Sequence, residues 1–348
     1  MTAFVTTRTP FRISFFGGGT DYPAWYRKEG GAVLSTTIDK YCYLTCRYLP
    51  PFFPQRHRIV WSHIENVSSI AEILHPAVRE GLRMLEFGDE PGIELHHYSD
   101  LPARSGMGSS SAFANGLILA LSSLRGHHLH KHELFRLALE LEQDRLHENV
   151  GAQDQVATAI GGLNVIRFHP DDAVEIVPVR LDPARSDKLQ KNLMLFFTGM
   201  SRIASEIAGD VVASMNNHVQ DLKAMHRMVD EAQALLEQGG DLDQLGGMLH
   251  DSWQRKRSLS RQISNEGIDD IYRRARQAGA LGGKLLGAGG AGFMALYVPP
   301  SRQQSVLAAL SSLLYVPFQF ETTGATLLHT SVPESGSRAE LRVAKTGF

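Results

Sequence analysis

The sequence reads Leu101-Pro102-Ala103-Arg104-Ser105-Gly106-Met107-Gly108-Ser109-Ser110-Ser111-Ala112 where a glycine- and serine-rich turn meets an apolar segment. Apolar residues recur at helical spacing from Phe113 to Leu124, and Ser109 and Ser110 are favourable helix-capping residues. Glycine lets backbone amides approach a ligand closely, and a helix start offers free N–H groups. The stretch therefore predicts a phosphate site, although a surface turn before an ordinary helix fits the loop alone equally well.

Two common nucleotide-binding patterns do not fit the chain. A P-loop needs a lysine and then Ser or Thr directly after its last glycine, whereas Gly108 precedes three serines. A second glycine-rich run, 287–292, contains the spacing of a dinucleotide fingerprint. That fingerprint must open a helix, but residues 293–298 are typical of a strand. A dehydrogenase that uses this run is an alternative of a different class, and it predicts NAD binding.

The composition limits the class of protein. The 348 residues are enough for two domains, and 43% hydrophobic residues supply an ample core. No apolar run approaches the ~20 residues of a membrane helix, and a net charge of −2 gives no general nucleic-acid footprint. Cys42 and Cys46 are predicted to be core residues of one strand in a reducing compartment. We therefore expect a cytoplasmic protein that binds neither membranes nor nucleic acids.

An alternating segment near the N-terminus is predicted to be a strand. Phe11 and Phe15 share one face of it, and Arg12 lies on the other. The glycine-rich turn 17–23 follows and contains Asp21. Arg12 and Asp21 are therefore candidate ligand-binding residues, with a solvent-facing arginine and a turn-forming aspartate as the alternative.

A carboxylate falls on the apolar side of a predicted helix over 131–147. Glu142 follows Ala138 by four residues, so it lies near the buried stripe of that helix. A carboxylate that faces a protein interior needs a partner, often a cation. Asp154 follows twelve residues later. The alternatives are an ion pair of Glu142 with Arg145 and a helix cap formed by Asp154.

A polar segment, 181–190, marks the expected boundary between two α+β domains. The domains are assigned as 1–188 and 189–332, followed by a loose polar tail, 333–348. In the first domain, residues 32–48 are predicted to form two strands. The second is expected to contain a strand from Leu193, helices at 201–238 and 241–262, a strand at 293–298, a helix near 302–314, and strands near 317–322 and 326–331.

Three glycine-rich stretches and the carboxylate pair occur in the order found in one enzyme family. Residues 12–23, 102–112 and 284–293 resemble the first, second and third motifs of the GHMP kinases, which phosphorylate small molecules. The resemblance implies a two-domain α+β fold, with an N-terminal domain like ribosomal protein S5 domain 2 and a ferredoxin-like C-terminal domain. It also implies that the protein uses ATP and Mg²⁺.

The resemblance further implies roles for individual residues. Asp154 is expected to face the acceptor hydroxyl as its base, and Arg12 to stabilise the transferring group. Glu142 is expected to hold Mg²⁺ together with Ser110. The nucleotide phosphates are expected to contact Arg104, Ser105, Gly106, Met107, Gly108, Ser109 and Ser110. The phosphate acceptor is expected to contact Arg12, Gly18, Gly19, Thr20, Asp21, Gly289 and Gly290.

The first motif is most similar to the branch of the family that phosphorylates a heptose phosphate. Galactokinases carry Glu and His where this chain has Gly18 and Gly19, and residues 252–298 also resemble the heptose branch. The implied reaction is phosphorylation of the anomeric hydroxyl of D-glycero-D-manno-heptose 7-phosphate, for nucleotide-heptose and glycan biosynthesis. A fucokinase-like free-sugar kinase and a non-catalytic sugar sensor are the alternatives, and the oligomeric state is left open.

A cluster of basic residues lies on the predicted helix 241–262. Arg255, Lys256 and Arg257 follow Trp253 closely. A solvated helix face is the commoner explanation of such a run. The alternative is a site for the distal phosphate of the sugar.

Overall fold

The computed structural model describes residues 3–199 and 204–331. The predicted tail 333–348 and the start of the predicted helical segment 201–238 lie outside the described residues. Within the described ranges the chain forms two sheets, one of nine strands and one of four.

A long antiparallel pair forms the centre of the larger sheet. β1 (Phe4–Phe16) pairs with β2 (Gly31–Tyr48), and α1 (Pro23–Glu29) lies between them in sequence. β2 is one continuous strand, so the prediction of two strands within 32–48 is wrong. Its alternation breaks because the register with β1 shifts near the middle of the pair, and not because the chain turns.

The larger sheet carries a layer of helices, of which the helix after the glycine-serine turn is the most buried. Almost all of this helix is inaccessible to solvent, so it anchors the turn rigidly. The elements are β3 (His57–Val60), β4 (Ile64–Val67), α2 (Pro76–Met84), β5 (Ile93–Ser99), α3 (Ser109–Leu124), α4 (Lys131–Leu139), a π-helical turn (Glu140–Arg145), α5 (Gln153–Ile160), β6 (Leu163–Phe168) and β7 (Val174–Pro178).

The smaller sheet is antiparallel, and its four strands lie in the order Leu314–Tyr315, Leu193–Phe197, Phe293–Tyr297 and Gly282–Leu285. Its apolar strands pack against helices that supply a second core around Trp253, which is fully buried. The elements are α6 (Pro183–Lys191), β8 (Leu193–Phe197), α7 (Ala204–Ser214), α8 (Val219–Glu237), α9 (Asp243–Ser258), α10 (Glu266–Gln277), β9 (Gly282–Leu285), β10 (Phe293–Tyr297), α11 (Gln303–Ala309) and β11 (Leu314–Tyr315).

The last two strands return to the larger sheet. β12 (Phe320–Glu321) pairs with β2, and β13 (Thr326–Thr330) pairs with β1. The expectation that these strands complete the second domain is therefore wrong. An apolar alternation identifies a strand but not its partner, which depends on the sheet edge that is available. The division at residue 188 stays a prediction.

The helices of the described ranges are short or polar relative to a bilayer. None of them combines the length and the apolar character that a membrane crossing requires.

Candidate active site

One cavity brings the three glycine-rich stretches together. It opens beside the N-terminus of α3, and α5, α7, α9 and β9 contribute to its wall. The sequence-predicted residues that line it are Arg12, Gly18, Gly19, Asp21, Arg104, Gly106, Gly108, Ser109, Ser110 and Asp154. The residues from the third glycine-rich stretch are Gly287 and Ala288.

Two glycines let the second and third stretches touch through their backbones. Gly106 and Gly287 have φ of +77° and +71°. A Cβ on Gly106 would lie 2.5 Å from the carbonyl oxygen of Leu286, and one on Gly287 would lie 2.4 Å from the Cα of Gly106. No side chain fits at either position, so the contact between the stretches depends on glycine.

The start of α3 points its free amides toward the cavity. The helix begins at Ser109, and its N-cap residue is Gly108 in the left-handed conformation. The prediction that Ser109 or Ser110 caps the helix is therefore wrong; Ser109 Oγ instead accepts a hydrogen bond of 3.1 Å from the backbone N–H of Arg104. Gly108, Ser109 and Ser110 all line the cavity. A helix N-terminus in this position attracts phosphate oxygens.

Arg12 and Asp154 form an ion pair in the cavity wall, in which Arg12 is buried and Asp154 is partly exposed. Nε and one terminal nitrogen of Arg12 donate to the two oxygens of Asp154 at 2.7 and 2.6 Å. The other terminal nitrogen donates to the carbonyl oxygen of Gly106 at 2.7 Å. α5 starts at Gln153 with no side-chain cap, so the alternative of Asp154 as a helix cap is wrong. The carboxylate is thereby held in one orientation at the cavity surface.

Glu142 is fully buried in the π-helical turn that follows α4. Ser110 donates to one of its oxygens, and the Ser111 hydroxyl (2.7 Å) and the Gln155 amide (2.6 Å) donate to the other. Burial raises the pKa of Glu142, and the three hydrogen bonds oppose that rise. The alternative ion pair with Arg145 is wrong, because Arg145 pairs with Glu140.

The surroundings of Glu142 fit a magnesium ion. Among the described residues, no basic side chain pairs with this buried carboxylate. A carboxylate and a serine hydroxyl are hard oxygen donors, and Mg²⁺ is commonly bound by one or two carboxylates together with substrate phosphates. Ser110 also lines the cavity beside the start of α3. Glu142 and Ser110 can therefore hold the ion next to the phosphate site.

Asp21 also lines the cavity, beside the start of α5. Its carboxylate accepts hydrogen bonds from the backbone N–H groups of Gly19 (2.9 Å) and Gln153 (3.4 Å). Burial is the main cause that raises the pKa of Asp21. Thr20 points away from the cavity: it is fully buried, and its one hydroxyl proton is shared between the carbonyl oxygens of Gly17 and Ala32. Thr20 therefore shapes the turn and does not face the cavity.

Several residues predicted to contact ligands lie behind the cavity wall. Met107 is buried, and its carbonyl oxygen accepts a hydrogen bond of 3.0 Å from the backbone of Arg12. Ser105 packs its backbone against Gly292. Gly289 and Gly290 lie against Ile263. These four residues support the loops that line the cavity, and do not line it themselves.

Two buried lysines line the cavity. Lys256 on α9 hydrogen-bonds the carbonyl oxygens of Leu285 (3.2 Å) and Gly287. Lys284 on β9 donates to the carbonyl oxygen of Phe15 at 3.0 Å. No local pattern marks Lys284 as a site residue. Lys256 stands in a basic run, but it follows the buried Leu249 by seven residues, which places it on the inner face of α9.

The neighbours of Lys256 behave differently. Arg255 pairs with Asp221 at 2.9 Å, and Arg257 pairs with Asp269 at 2.7 Å. Neither arginine lines the cavity. For these two residues, the solvated helix face is therefore the correct interpretation.

Comparison with known proteins identifies the family. Residues 71–162 match the GHMP kinases N terminal domain, and residues 228–316 match the GHMP kinases C terminal domain. The chain is 30% identical over 315 residues to the D-glycero-alpha-D-manno-heptose 7-phosphate kinase of Campylobacter jejuni, covering 88% of this chain and 93% of that protein. It is 26% identical to the longer bifunctional fucokinase/GDP-fucose pyrophosphorylase of Arabidopsis thaliana, covering 82% of this chain and 29% of that protein.

Solved structures of sugar kinases have a similar fold. The crystal structure of a D-glycero-D-manno-heptose 1-phosphate kinase from Bacteroides thetaiotaomicron superimposes with a TM-score of 0.76 at 25% identity, covering 93% of this chain and 99% of that chain. Lactococcus lactis galactokinase shares the fold, with a TM-score of 0.71 at 18% identity, covering 93% and 95% of the two chains. The chain therefore belongs to the GHMP kinase family and is a phosphotransferase.

Proposed function

We propose that the protein transfers the γ-phosphoryl group of ATP to the anomeric hydroxyl of D-glycero-D-manno-heptose 7-phosphate. One observation carries the kinase chemistry: the Asp154 carboxylate, oriented by Arg12, shares a cavity with the start of α3 and with Ser110, which donates to Glu142. Phosphoryl transfer needs an oriented acceptor and neutralisation of phosphate charge, and this cavity offers groups for both.

On the phosphate side, the loop residues that line the cavity and the N-terminus of α3 would bind the nucleotide phosphates; these loop residues are Arg104, Gly106, Gly108, Ser109 and Ser110. Ser110 and Glu142 would hold Mg²⁺, which when bound neutralises charge on the phosphate oxygens. The buried position of Glu142 fixes the Ser110 hydroxyl through their hydrogen bond. The ion would therefore be held by groups that need little rearrangement.

On the acceptor side, Asp154 would accept a hydrogen bond from the hydroxyl and take its proton as the bond to phosphorus forms. Arg12 holds both carboxylate oxygens in place through two hydrogen bonds. Asp21 lines the same cavity and would accept hydrogen bonds from other hydroxyls of the sugar. A base at this position is worth about 10²–10⁴ in rate.

The choice of sugar rests on two supports. The C. jejuni relative is named for heptose 7-phosphate, and the B. thetaiotaomicron structure for a heptose 1-phosphate kinase. Gly18 and Gly19 leave the cavity without side chains at the two positions where galactokinases carry Glu and His. A free-sugar kinase is the second candidate, favoured by the likeness to two fucokinase-containing proteins.

The cell compartment and the downstream pathway belong to the same proposal. Cys42 and Cys46 are free thiols buried on one face of β2, which suits a reducing compartment. We place the enzyme in the cytoplasm, where ATP is available. Its product would serve nucleotide-heptose synthesis for lipopolysaccharide or capsule.

The test is ADP release with ATP and Mg²⁺ in the presence of a sugar panel. The panel contains heptose 7-phosphate, heptose 1-phosphate, sedoheptulose 7-phosphate, mannose, fucose and galactose. We expect turnover on heptose 7-phosphate, with a new anomeric phosphate in the phosphorus NMR spectrum. Turnover on a free hexose in preference to heptose 7-phosphate would overturn the substrate assignment. The Asp154→Asn variant, purified identically, controls for contaminating kinases.

A further inference from the structure

Three of the five N–H donors of the Arg12 guanidinium are used within the protein. Nε and one terminal nitrogen bind Asp154, and the other terminal nitrogen binds the Gly106 carbonyl oxygen. Only 3% of its side chain is exposed. All three nitrogens are thus engaged within the protein, and a guanidinium held in this way orients its carboxylate partner. Because the charge of Arg12 is already shared with Asp154, a second cation in the cavity would add to the offset of the charge on the transferring group.

Lys256 can supply a positive charge for the transferring phosphoryl group. Lys256 lines the cavity, and within the described ranges its ammonium group hydrogen-bonds only the carbonyl oxygens of Leu285 and Gly287. An ammonium has three donors, so one is left for a ligand. Among the described residues, no carboxylate lies within ion-pair distance of it. A buried charge in this state is unfavourable until an anion arrives.

The position of Lys256 matches the point of transfer. Gly287, whose carbonyl oxygen it binds, packs directly on Gly106 in the phosphate loop. Lys256 therefore lies at the junction of the two glycine-rich loops. The charged groups that face it are Arg12, Asp21, Asp154 and Lys284. Arg12 is already paired with Asp154, so a phosphoryl group between the loops and Asp154 would supply the anion that Lys256 lacks.

We infer that Lys256 is a catalytic residue that contacts the transferring phosphoryl group, and that Arg12 is a positioning residue for Asp154. This inference rests on the proposed kinase function, although not on the identity of the sugar. It changes the expectation drawn from the motifs, in which Arg12 carries the phosphoryl charge.

The first experiment compares Lys256→Met with Lys223→Met under steady-state conditions. Lys223 is the matched control, because it lies on α8, pairs with Glu29 and is 44% exposed. We expect Lys256→Met to lower kcat by about 10²–10³, the usual effect of removing one charge-stabilising donor. KM for ATP and for the sugar should change less than about threefold, and Lys223→Met should match the wild type.

Two kinetic outcomes would overturn the inference. An unchanged kcat would show that Lys256 does not act in the transfer step. A rise in KM for the sugar phosphate alone, absent with the unphosphorylated sugar, would assign Lys256 to the distal phosphate of the substrate. Loss of the fold is separated from loss of catalysis by the melting temperature, which should not fall, because the substitution removes a buried charge. Lys256→Gln serves as a second variant.

A calorimetric experiment tests the same contact without any sugar. Burial and the nearby Arg12 lower the pKa of Lys256 to about 8. Contact with a γ-phosphate favours the charged form, so binding of a non-hydrolysable ATP analogue near pH 8.5 should take up a fraction of a proton. Uptake is measured from the binding enthalpies in two buffers of different ionisation enthalpy, in wild type and in Lys256→Met.

The expected result is an uptake with the triphosphate analogue that is absent in Lys256→Met and smaller with ADP. Equal uptake in wild type and variant would contradict the contact. If the wild type binds nucleotide but phosphorylates no sugar of the panel, the proposed function fails, whereas this measurement still decides the role of Lys256.

Discussion

Arg12 and Asp154 form a two-point ion pair, with Nε and a terminal nitrogen of Arg12 donating to the two carboxylate oxygens at 2.7 and 2.6 Å. The pair joins β1 to the first turn of α5, and Arg12 also binds the carbonyl oxygen of Gly106 in the phosphate loop. One guanidinium thus connects the proposed base to the glycine-serine loop beside it. In the proposed reaction, phosphate binding and acceptor orientation would therefore depend on the same side chain.

Asp154→Asn is expected to reduce kcat by about 10²–10⁴, because asparagine cannot take the acceptor proton. Arg12→Met should cause a loss of similar size, since Asp154 loses its orientation. The double variant should be hardly worse than either single one, because the two residues act as a unit. Steady-state kinetics on the three proteins measures this non-additivity.

The amide of Asp154→Asn keeps one acceptor for Arg12, so nucleotide affinity should stay within a few-fold of the wild type. Fluorescence titration with an ATP analogue checks that the site is intact. Wild-type-like turnover of Asp154→Asn, or strictly multiplicative losses in the double variant, would contradict the assignment.

Glu142→Gln is expected to raise the Mg²⁺ concentration for half-maximal rate by roughly tenfold or more, because a ligand charge is lost. The measurement is a Mg²⁺ titration of initial rate at saturating ATP. Glu140→Gln is the control, since Glu140 pairs with Arg145 and its side chain is 38% exposed. An unchanged Mg²⁺ requirement in Glu142→Gln would remove Glu142 from the metal site.

The same variant gives a prediction on stability. The pKa of Glu142 is raised in the folded protein, mainly by burial, so the folded state holds its proton to higher pH than the unfolded state. Its contribution to the free energy of unfolding therefore decreases as the pH rises from about 4.5 through the raised pKa. In Mg²⁺-free urea unfolding, Glu142→Gln should be at least as stable as wild type at pH 7. A variant clearly less stable at pH 7 would contradict this.

The sequence predicts the local segments of the site better than the contacts between residues that are distant in sequence. Glu142 is recognisable as buried because it continues the apolar stripe of α4, and the glycine-serine turn is recognisable by composition. The Arg12–Asp154 pair joins residues 142 positions apart, which no local pattern specifies. The role of Lys256 is hard to predict from the sequence, because its neighbours Arg255 and Arg257 are solvated and paired with carboxylates. Only the packing of α9 shows that Lys256, unlike them, faces inward.

The pairing of strands in the larger sheet is likewise not predicted by local sequence patterns. Strand alternation predicts β12 and β13 approximately, but their pairing with β2 and β1 comes from long-range contacts. Thr20 is another example: it adjoins Asp21 in a motif that resembles a ligand site, yet the turn directs its hydroxyl inward to Gly17 and Ala32. Neighbours in a turn can point in opposite directions, so motif membership alone does not assign a ligand contact.

Gly106→Ala tests the contact between the two glycine-rich loops. A left-handed backbone alone costs about 1–2 kcal/mol for alanine, and here the Cβ would also lie 2.5 Å from the carbonyl oxygen of Leu286. We expect a larger loss of stability and weaker ATP binding. Gly126→Ala is the matched control, because Gly126 has φ +76° and no atom within 4 Å of its Cβ position. Urea unfolding and nucleotide titration measure both effects.

If Gly126→Ala and Gly106→Ala lost equal stability and both kept normal ATP affinity, the close approach of the loops would be unimportant. Both glycines have a left-handed backbone, so the expected difference in stability between Gly106→Ala and Gly126→Ala measures the steric contact at Gly106 alone. It therefore tests whether the two parts of the chain must touch at this point for the nucleotide to bind.

Thr20→Val and Asp21→Asn separate the structural and ligand-facing halves of the first turn. Thr20→Val removes a buried hydroxyl that serves the backbone at Gly17 and Ala32, so we expect it to lower stability by about 1–3 kcal/mol with an unchanged KM for the sugar. Asp21→Asn retains the acceptor for Gly19 but weakens the charge that faces the cavity, so KM for the sugar should rise several-fold. The reverse pattern, with KM changed only in Thr20→Val, would mean that the turn presents Thr20 to the substrate. Urea unfolding and steady-state kinetics on the two variants distinguish the expected pattern from the reverse one. Thr20→Val changes a hydrogen bond that stabilises the turn, whereas Asp21→Asn changes the surface proposed to contact the sugar.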